Sequence, residues 1–234
     1  MDWNRIRIPT HAIGFDDRIG GGLPQGYVIL LSGAPGTMKS SFAFSIAYHN
    51  AVRDDRKAAY FTLEQSKESL LEQMSTMGMG DSRLSDRLSV LDMGTIRKNL
   101  SYLQGRETWL ELFKMHCSNV IKSDAVSILI VDSLDVLEAM AKMEDGRAGL
   151  YFLFEWLRDL GPLTVVVSEK PLSLDRDATP PDEAYLADGI IQLSMVPSAD
   201  GTVQRRLRVV KLRATHHDTG SHRLGFSAPE FSVE

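Results

Sequence analysis

Residues 33–40, Gly-Ala-Pro-Gly-Thr-Met-Lys-Ser, have the types and spacing of a loop that holds phosphate. An apolar run at 27–31 precedes them, and a segment with helical character follows at 42–52. In a strand–loop–helix of this kind, backbone N–H groups surround a phosphate and the helix N-terminus adds partial positive charge. The residues expected to contact the phosphates are Gly33, Ala34, Pro35, Gly36, Thr37, Met38, Lys39, Ser40 and Ser41.

Lys39 and Ser40 have the two side chains that such a loop uses. The lysine ammonium reaches the β- and γ-phosphates of a nucleotide, where it is expected to act in catalysis, and the serine hydroxyl coordinates Mg²⁺. The loop therefore predicts a nucleotide site with a bound Mg²⁺ ion. The alternative is an ordinary Gly-Pro turn between a strand and a helix, with Lys39 merely solvated.

Met38 departs from the pattern G-x-x-x-x-G-K-[ST], which has its second glycine at this position. A glycine there permits a positive φ and a close approach of the phosphate. A side chain in that backbone region costs on the order of 1–2 kcal/mol. Because this is small beside the binding free energy of a nucleotide, we expect the site to tolerate the methionine.

Two acidic residues follow apolar strand-like runs. Asp132 ends the run 126–132, 93 residues after Lys39, and an aspartate so placed holds Mg²⁺ opposite the loop serine. Glu64 follows an earlier run, 25 residues after Lys39, and a carboxylate near the γ-phosphate can deprotonate the attacking water. The simpler alternatives are a turn role for Asp132 and a helix start beside Glu64.

Ser168 ends a third apolar run, 164–168, and is a weaker candidate for contact with the γ-phosphate. A serine at the end of a strand is common, so the residue type alone does not favour this role over a structural one.

Residues 204–213 contain five cationic side chains among ten residues. One interpretation is a charged edge strand, and another is a nucleic-acid surface, although aromatic residues are missing from the run. A third is that Lys211 and Arg213 project into the active site of a neighbouring subunit. There they would neutralise developing charge as arginine fingers do.

The composition is that of an ordinary soluble globular chain of 234 residues, with 43% apolar and 24% charged residues. The net charge of −5 disfavours binding to nucleic acid or to an anionic membrane. The single cysteine, Cys117, excludes an internal disulfide and is typical of a reducing cytoplasm. No apolar stretch approaches the roughly 20 residues of a membrane span, so we expect a cytoplasmic protein without a membrane partner.

Strand-like and helix-like runs alternate along the chain, which predicts an α/β fold with a mostly parallel sheet flanked by helices. The expected strands of the parallel part are 27–32, 58–63, 88–92, 126–132 and 163–168. Shorter connections join three later runs and predict an antiparallel extension at 189–193, 207–212 and 223–226.

Four longer segments are expected to be helices, at 40–52, 67–77, 107–122 and 147–160. The last is apolar nearly all round, which favours burial on more than one side, within the domain or against another subunit. The proline-containing segment 172–181 is expected to be a mobile surface loop.

Several of these segments together resemble the RecA-superfamily ATPases of the KaiC type. The similar segments are 11–26, which contains Gly-Gly-Gly-Leu-Pro-Gln-Gly, the phosphate loop, Glu64, 183–193, and Val-Lys-Leu-Arg-Ala-Thr-His-His-Asp at 210–218. The resemblance runs almost the full length and implies one RecA-like domain over residues 1–234. It implies ATP bound between the subunits of a homo-oligomeric ring, often a hexamer, with Lys211 and Arg213 acting on the neighbour's ATP.

Three departures limit what can be carried over from the family. Met38 replaces the loop glycine, Gln65 replaces the second residue of a catalytic glutamate pair, and Ala214 replaces a glycine. The glutamine favours slow hydrolysis. Ala184 and Tyr185 occupy the positions of the Ser-Thr pair that clock members of the family phosphorylate, so an autokinase clock function fits poorly.

The sequence thus favours a regulatory ATPase whose nucleotide state sets ring assembly and the binding of a protein partner in signalling. Met38 and Gln65 also allow a scaffold that binds ATP without turning it over. The basic run and the RecA kinship allow a recombinase paralogue or motor that acts on DNA, which the acidic net charge opposes.

Overall fold

The computed structural model describes residues 6–99, 107–141, 147–173, 179–198 and 201–234, and the centre of the fold is a sheet of nine strands. A separate pair of two-residue strands precedes this sheet in the chain. In chain order the strands are β1 (Arg7–Ile8), β2 (Leu23–Pro24), β3 (Val28–Gly33), β4 (Ala58–Thr62), β5 (Leu88–Asp92), β6 (Ile128–Asp132), β7 (Leu163–Ser168), β8 (Gly189–Pro197), β9 (Val203–Leu212), β10 (Ser221–Ser227) and β11 (Glu230–Val233).

Helices connect most of the parallel strands. In chain order they are α1 (Lys39–Arg53), α2 (Lys67–Thr76), α3 (Met93–Asn99), α4 (Glu107–Asp124), α5 (Leu134–Ala141), α6 (Arg147–Asp159) and α7 (Asp182–Leu186). Two 3₁₀ turns lie at Asp16–Ile19 and Ser82–Asp86. None of the helices among the described residues has both the length and the hydropathy of a membrane span.

The sheet has the strand order β11-β10-β9-β8-β3-β7-β6-β4-β5. The six strands from β8 to β5 are parallel, and β9, β10 and β11 continue the sheet in antiparallel pairing. The predicted α/β fold with an antiparallel C-terminal extension is therefore confirmed. The carboxyl ends of the parallel strands share one edge of the sheet, which is where α/β proteins bind ligands.

Helices on both faces explain why the central strands are apolar throughout. Along β3, Ile29 and Leu31 belong to the apolar cluster that includes α1, while Val28 and Leu30 belong to the cluster that includes α4 and α6. All residues of this strand are buried. Because neighbouring side chains point to opposite faces, a strand covered on both sides needs apolar residues at every position.

The predicted parallel strands and the four predicted helices agree with the structure to within two residues at each end. The β8–β9 hairpin is longer than expected, because its outer half continues the ladder of backbone hydrogen bonds after the side chains become exposed. The short elements α3, α5 and α7, together with β1, β2 and β11, were not predicted. Each is too short to show a clear period of apolar residues.

Packing within the chain buries only one face of the segment 147–160, so the first expected route to burial on more than one side was wrong, and burial against another subunit stays a prediction. The buried side chains of α6 are Leu150, Leu153, Phe154 and Leu157, which form one face. Tyr151 and Phe152 are 48% and 61% exposed. The helix is therefore amphipathic in its packing, and aromatic residues extend onto its outer face.

Cys117 of α4 has a free thiol and is buried in the apolar cluster that includes this helix. Of the segment 172–181, which was expected to be a mobile loop, residues 174–178 lie outside the described part of the chain. Leu172 at its start is buried, and its carbonyl oxygen accepts a hydrogen bond from the side-chain amide of Gln192.

Gly21 and Gly22 offer a matched test of the turn before β2. Both have a positive φ, of 91° and 123°, so alanine brings backbone strain of about 1–2 kcal/mol at either position. A Cβ on Gly22 would also lie 2.5 Å from the carbonyl oxygen of Ile8, whereas one on Gly21 meets nothing within 4 Å. We expect Gly22→Ala to lower the free energy of unfolding by at least about 1 kcal/mol more than Gly21→Ala.

Urea unfolding followed by circular dichroism measures the two free energies. Equal losses in the two variants would show that the close approach of β1 to Gly22 does not constrain the fold.

Candidate functional site

The phosphate loop joins the last residue of β3 to the first turn of α1. Thr37 donates a hydrogen bond of 2.8 Å from its hydroxyl to the carbonyl oxygen of Ala34, which closes the loop on itself. Gly36 has a φ of 84°. A Cβ on Gly33 would lie 2.4 Å from the carbonyl oxygen of Leu193, so glycine is needed there for β8 to lie close to the loop.

Met38 adopts the left-handed conformation that the missing glycine would have taken, with φ 73° and ψ 29°. Its carbonyl oxygen accepts the hydrogen bond of Phe42 N at 2.9 Å, so the residue ends the loop as the N-cap of α1. Its partly buried side chain packs against the apolar cluster that includes α1. The loop thus keeps its backbone shape, with strain on the order of 1–2 kcal/mol at one residue.

A cleft of about 440 Å³ opens beside this loop at the carboxyl edge of the sheet. Its lining combines the loop and the start of α1 with residues at or just after the carboxyl ends of β4, β6 and β7, with one residue of β9 and with two residues at the end of α2. The lining residues are Pro35, Gly36, Met38, Lys39, Ser40, Ser41, Glu64, Gln73, Met77, Asp132, Val167, Glu169 and Arg205. The structure therefore brings Lys39, Ser40, Glu64 and Asp132 to one cleft.

Lys39 is the first residue of α1, and its side chain folds back over the loop. Its ammonium group donates a hydrogen bond of 3.2 Å to the carbonyl oxygen of Ala34, and the residue is only 8% exposed. The positive charge is thus held where the loop amides and the helix N-terminus already favour an anion.

Asp132 ends β6 in a buried position and is joined to Tyr60 on the neighbouring strand β4. The Tyr60 hydroxyl donates a hydrogen bond to Asp132 Oδ2. Burial raises the pKa of Asp132, and the hydrogen bonds from Tyr60 and Ser40 oppose that rise. Burial also raises the pKa of Tyr60, to which the charge of Asp132 adds.

The residues at this point fit a Mg²⁺ ion. Asp132 Oδ1 is buried and has no hydrogen-bond partner within the described residues, and the Ser40 hydroxyl is close by. Both are the oxygen ligands that Mg²⁺ prefers. The described part of the chain holds no cluster of three or more His, Cys, Asp or Glu side chains that would bind a metal alone. The remaining ligands would be phosphate oxygens and water, as is usual for Mg²⁺.

Glu64 is exposed at the cleft, just after β4. The chain then turns into α2, where the Ser66 hydroxyl caps the helix by accepting a 3.2 Å hydrogen bond from Ser69 N. Gln65 side-chain oxygen accepts a 3.4 Å hydrogen bond from the Ser69 hydroxyl. Glu64 therefore faces the cleft, and Gln65 turns along the helix.

Ser168 is buried at the end of β7, and its hydroxyl accepts a hydrogen bond of 3.2 Å from Lys170 N. The cleft is lined here by the two flanking residues, Val167 and Glu169. The structure does not place Ser168 in the cleft lining, and its contact with a γ-phosphate stays a prediction.

Lys211 and Arg213 lie at the opposite edge of the sheet from the phosphate loop. Lys211 pairs with Ile190 near the start of β8, and Arg213 follows the end of β9. The Lys211 ammonium donates to the carbonyl oxygens of Ala184 and Tyr185, at 3.2 and 3.1 Å.

The guanidinium of Arg213 forms an ion pair of 2.7 Å with Asp188 and also donates to the Tyr185 carbonyl oxygen. Burial lowers the pKa of Lys211, and the nearby positive charge of Arg213 lowers it further. Both cations are thus held against α7 and the residues that follow it. The structure does not bring them to the cleft of their own chain.

Arg205 lines the cleft but is not among the site residues predicted from the sequence. It pairs with Met195 near the carboxyl end of β8, and its Nε donates a long hydrogen bond of 3.4 Å to the carbonyl oxygen of Gly36. The available signal was the Asp-Gly pair at 200–201, which marks a hairpin turn. Counting outward from that turn places Arg205 at the loop edge and Lys211 at the far edge.

Tyr60, the hydrogen-bond partner of Asp132, is also absent from the site residues predicted from the sequence. The sequence feature that could have indicated this residue is a hydroxyl-bearing side chain in the otherwise apolar run 58–61. A buried hydroxyl requires a partner, but only the pairing of β4 with β6 shows that the partner is Asp132.

A phosphate loop and a buried aspartate at the carboxyl edge of a parallel sheet define the class of phosphate-loop nucleotide-binding proteins. The family model "ATPase: KaiC" matches residues 8–228, which is most of the chain. The chain belongs to the KaiC ATPase family.

The chain is similar to relatives of two different lengths. It is 29% identical to a UPF0273 protein of Aeropyrum pernix, over 92% of this chain and 88% of that protein. It is 26% identical to the circadian clock protein KaiC2 of Synechocystis, over 93% of this chain and 38% of that protein. The chain thus spans less than half the length of this clock relative.

A crystal structure with the same fold is that of a KaiC-like protein from Pyrococcus horikoshii OT3. It superposes with a TM-score of 0.81 at 23% identity, covering 98% of this chain and 99% of the other. This similarity shows the fold.

Because Met38 has a left-handed backbone conformation, a β-branched residue at this position should lower stability more than an unbranched residue of the same size. Leucine and isoleucine are isomers, but a β-branched residue is disfavoured at a positive φ much more than an unbranched one. We expect the free energy of unfolding of Met38→Ile to be about 1 kcal/mol lower than that of Met38→Leu. Urea titrations of the nucleotide-free protein measure the difference, and equal stabilities would contradict the left-handed conformation of residue 38.

Proposed function

We propose that the chain is a slow Mg²⁺-dependent ATPase that works as a homo-oligomeric ring with ATP at the subunit interfaces. The proposal rests on one observation: the cleft beside the phosphate loop is lined by Lys39, Ser40, Glu64 and Asp132. Membership of the KaiC ATPase family supports the choice of ATP as the nucleotide.

Each of these residues has a role that follows from its position. The loop amides and the Lys39 ammonium bind the phosphates, and Ser40 with Asp132 would hold Mg²⁺. A bound Mg²⁺ ion neutralises phosphate charge and orients the terminal phosphate. Glu64 is exposed at the cleft and is placed to orient and deprotonate the attacking water.

Slow hydrolysis is proposed from the surroundings of Glu64. The adjacent side chain, Gln65, cannot act as a base and is turned toward Ser69. Glu64 itself stays exposed to solvent. A base of this kind lacks the fixed geometry that fast proton transfer requires.

Assembly with a second copy of the chain is supported by the placement of Lys211 and Arg213. Lys211 lies six positions after Arg205, which is at the cleft, and this corresponds to roughly 20 Å along β9. The two cations therefore cannot serve the ATP of their own chain but can serve that of a neighbour. A closed ring, with a hexamer favoured, gives every cleft one such pair.

We extend the proposal to residues 1–234 acting as one domain in the cytoplasm, with nucleotide state controlling a protein partner in signalling.

Action on DNA is the weaker candidate, since cations of the basic run at 204–213 form hydrogen bonds within the chain. Arg206 and Arg208 donate to the carbonyl oxygens of Ser221 and Thr219, both at 2.9 Å.

Lys39→Ala removes the charge that the loop places on the phosphates. We expect it to lower the rate of ATP hydrolysis by at least about a hundredfold, because charge-assisted contacts at the transferred phosphate dominate this chemistry. Phosphate release in the presence of Mg²⁺ measures the rate. The control is Lys122→Ala, at an exposed position of α4, which should hydrolyse ATP like the original protein.

Full activity in Lys39→Ala would exclude this loop as the catalytic site. If the unaltered protein instead keeps ATP intact over a long incubation, the scaffold that binds without hydrolysis is the correct function.

Mixing two inactive variants tests whether the cations act between subunits. Lys39→Ala lacks the cleft lysine and Arg213→Gln lacks the distant arginine, so each alone should hydrolyse ATP poorly. In random mixed rings, about a quarter of the interfaces combine an intact cleft with an intact arginine from the neighbour. We expect the mixture to recover up to about a quarter of the original activity.

The control mixture pairs Lys39→Ala with the double variant Lys39→Ala/Arg213→Gln, which restores no interface. A first mixture that is no more active than this control would contradict action between subunits.

A further inference from the structure

Tyr60 is an unusual residue for the place it occupies. All five residues of β4 are buried, and the Tyr60 ring packs against that of Phe44 with centroids 5.8 Å apart. Phenylalanine would fill the same space and would not bring a hydroxyl into the interior. The hydroxyl must therefore have a partner, and that partner is Asp132 Oδ2.

The register of β4 and β6 explains how the Tyr60 hydroxyl reaches Asp132. Thr62 of β4 lies opposite Asp132 of β6, and Tyr60 lies two residues earlier on β4. Residues two apart on a strand point to the same face of the sheet, so the tyrosine reaches the aspartate diagonally across the strand pair. Both residues are on strands of the rigid core, and the contact does not depend on a loop.

The contact makes the two oxygens of Asp132 unequal. Oδ2 accepts the Tyr60 hydroxyl, whereas Oδ1 is buried without a hydrogen-bond partner among the described residues. A carboxylate tied through one oxygen cannot rotate freely about its χ2 angle. The free oxygen is therefore held in one orientation beside the cleft that Asp132 lines.

We propose that Tyr60 is a positioning residue that fixes the Asp132 carboxylate so that Oδ1 faces the Mg²⁺ shell. The inference rests on the proposed function, since it assigns a partner to the metal ligand of that site. A residue that hydrogen-bonds to a metal-ligating side chain typically changes the metal affinity by 10–100-fold when it is mutated. Tyr60 is not among the residues that line the cleft and acts through Asp132.

Tyr60→Phe removes the hydroxyl and keeps the ring. The experiment follows the binding of N-methylanthraniloyl-ATP by fluorescence, first with EDTA and then at increasing Mg²⁺ concentrations. We expect the Mg²⁺ concentration for half-maximal tightening to rise about tenfold, while affinity in EDTA stays as in the original protein. The control is Tyr48→Phe on α1, which should leave both quantities unchanged.

Two results would overturn the inference. One is an unchanged Mg²⁺ requirement in Tyr60→Phe. The other is an equal loss of affinity with and without Mg²⁺, together with a lower melting temperature in EDTA, which shows a purely structural role. If the original protein itself shows no Mg²⁺-dependent nucleotide binding, the proposed function fails first, and that outcome is visible before any variant is compared.

A second pair of variants keeps the test valid if Tyr60→Phe does not fold. In Asp132→Ala both side-chain oxygens are absent, so the added change Tyr60→Phe should leave the Mg²⁺ requirement where Asp132→Ala alone has put it. A further shift of tenfold in the double variant would show that Tyr60 acts on the metal by another route and would contradict the proposal.

Discussion

Parallel pairing of the four central strands is the constraint on which the site depends. The backbone hydrogen bonds of β3, β7, β6 and β4 set Ser32 beside Ser168 and Asp132 beside both Val167 and Thr62. Because parallel strands end at the same edge, the loops that follow them leave the sheet side by side. The phosphate loop, Glu64 and Asp132 come from distant parts of the chain and meet only through this register.

The same register makes the interior apolar on both faces and leaves little room for polar groups. Asp132 and Tyr60 are exceptions within the core, and the Tyr60 hydroxyl donates a hydrogen bond to Oδ2 of Asp132. A buried carboxylate is unfavourable unless it is hydrogen-bonded or close to positive charge. The Tyr60 and Ser40 hydroxyls and the Lys39 ammonium provide such surroundings, which is how an acid can end a strand that is otherwise wholly apolar.

The antiparallel hairpin β8–β9 divides the basic run between two edges of the sheet. Arg205 lies beside the phosphate loop, while Lys211 and Arg213 lie against α7 at the other edge. Cations that are close in sequence thus belong to different surroundings, one at the chain's own cleft and two facing away from it. This separation is the structural basis for placing the nucleotide of the proposed assembly between subunits.

The sequence by itself was sufficient for the fold class and for the positions of most long elements. Most residues of β3 and β7 are apolar, which is typical of a strand covered on both faces, and the phosphate loop has its own sequence pattern between strand and helix. The local pattern also indicated the backbone strain at Met38, because the position requires a positive φ whichever residue occupies it.

Only the tertiary structure decided which side chains meet. Local sequence patterns do not determine the order of strands in a sheet. Residue spacing alone therefore could not predict two of the contacts at the site, Tyr60 with Asp132 and Arg205 with Gly36. The exposure of Tyr151 and Phe152 likewise depends on what covers α6, which its own residues do not specify. Local sequence sets backbone preference and apolar period, whereas pairing across the sheet is a property of the whole chain.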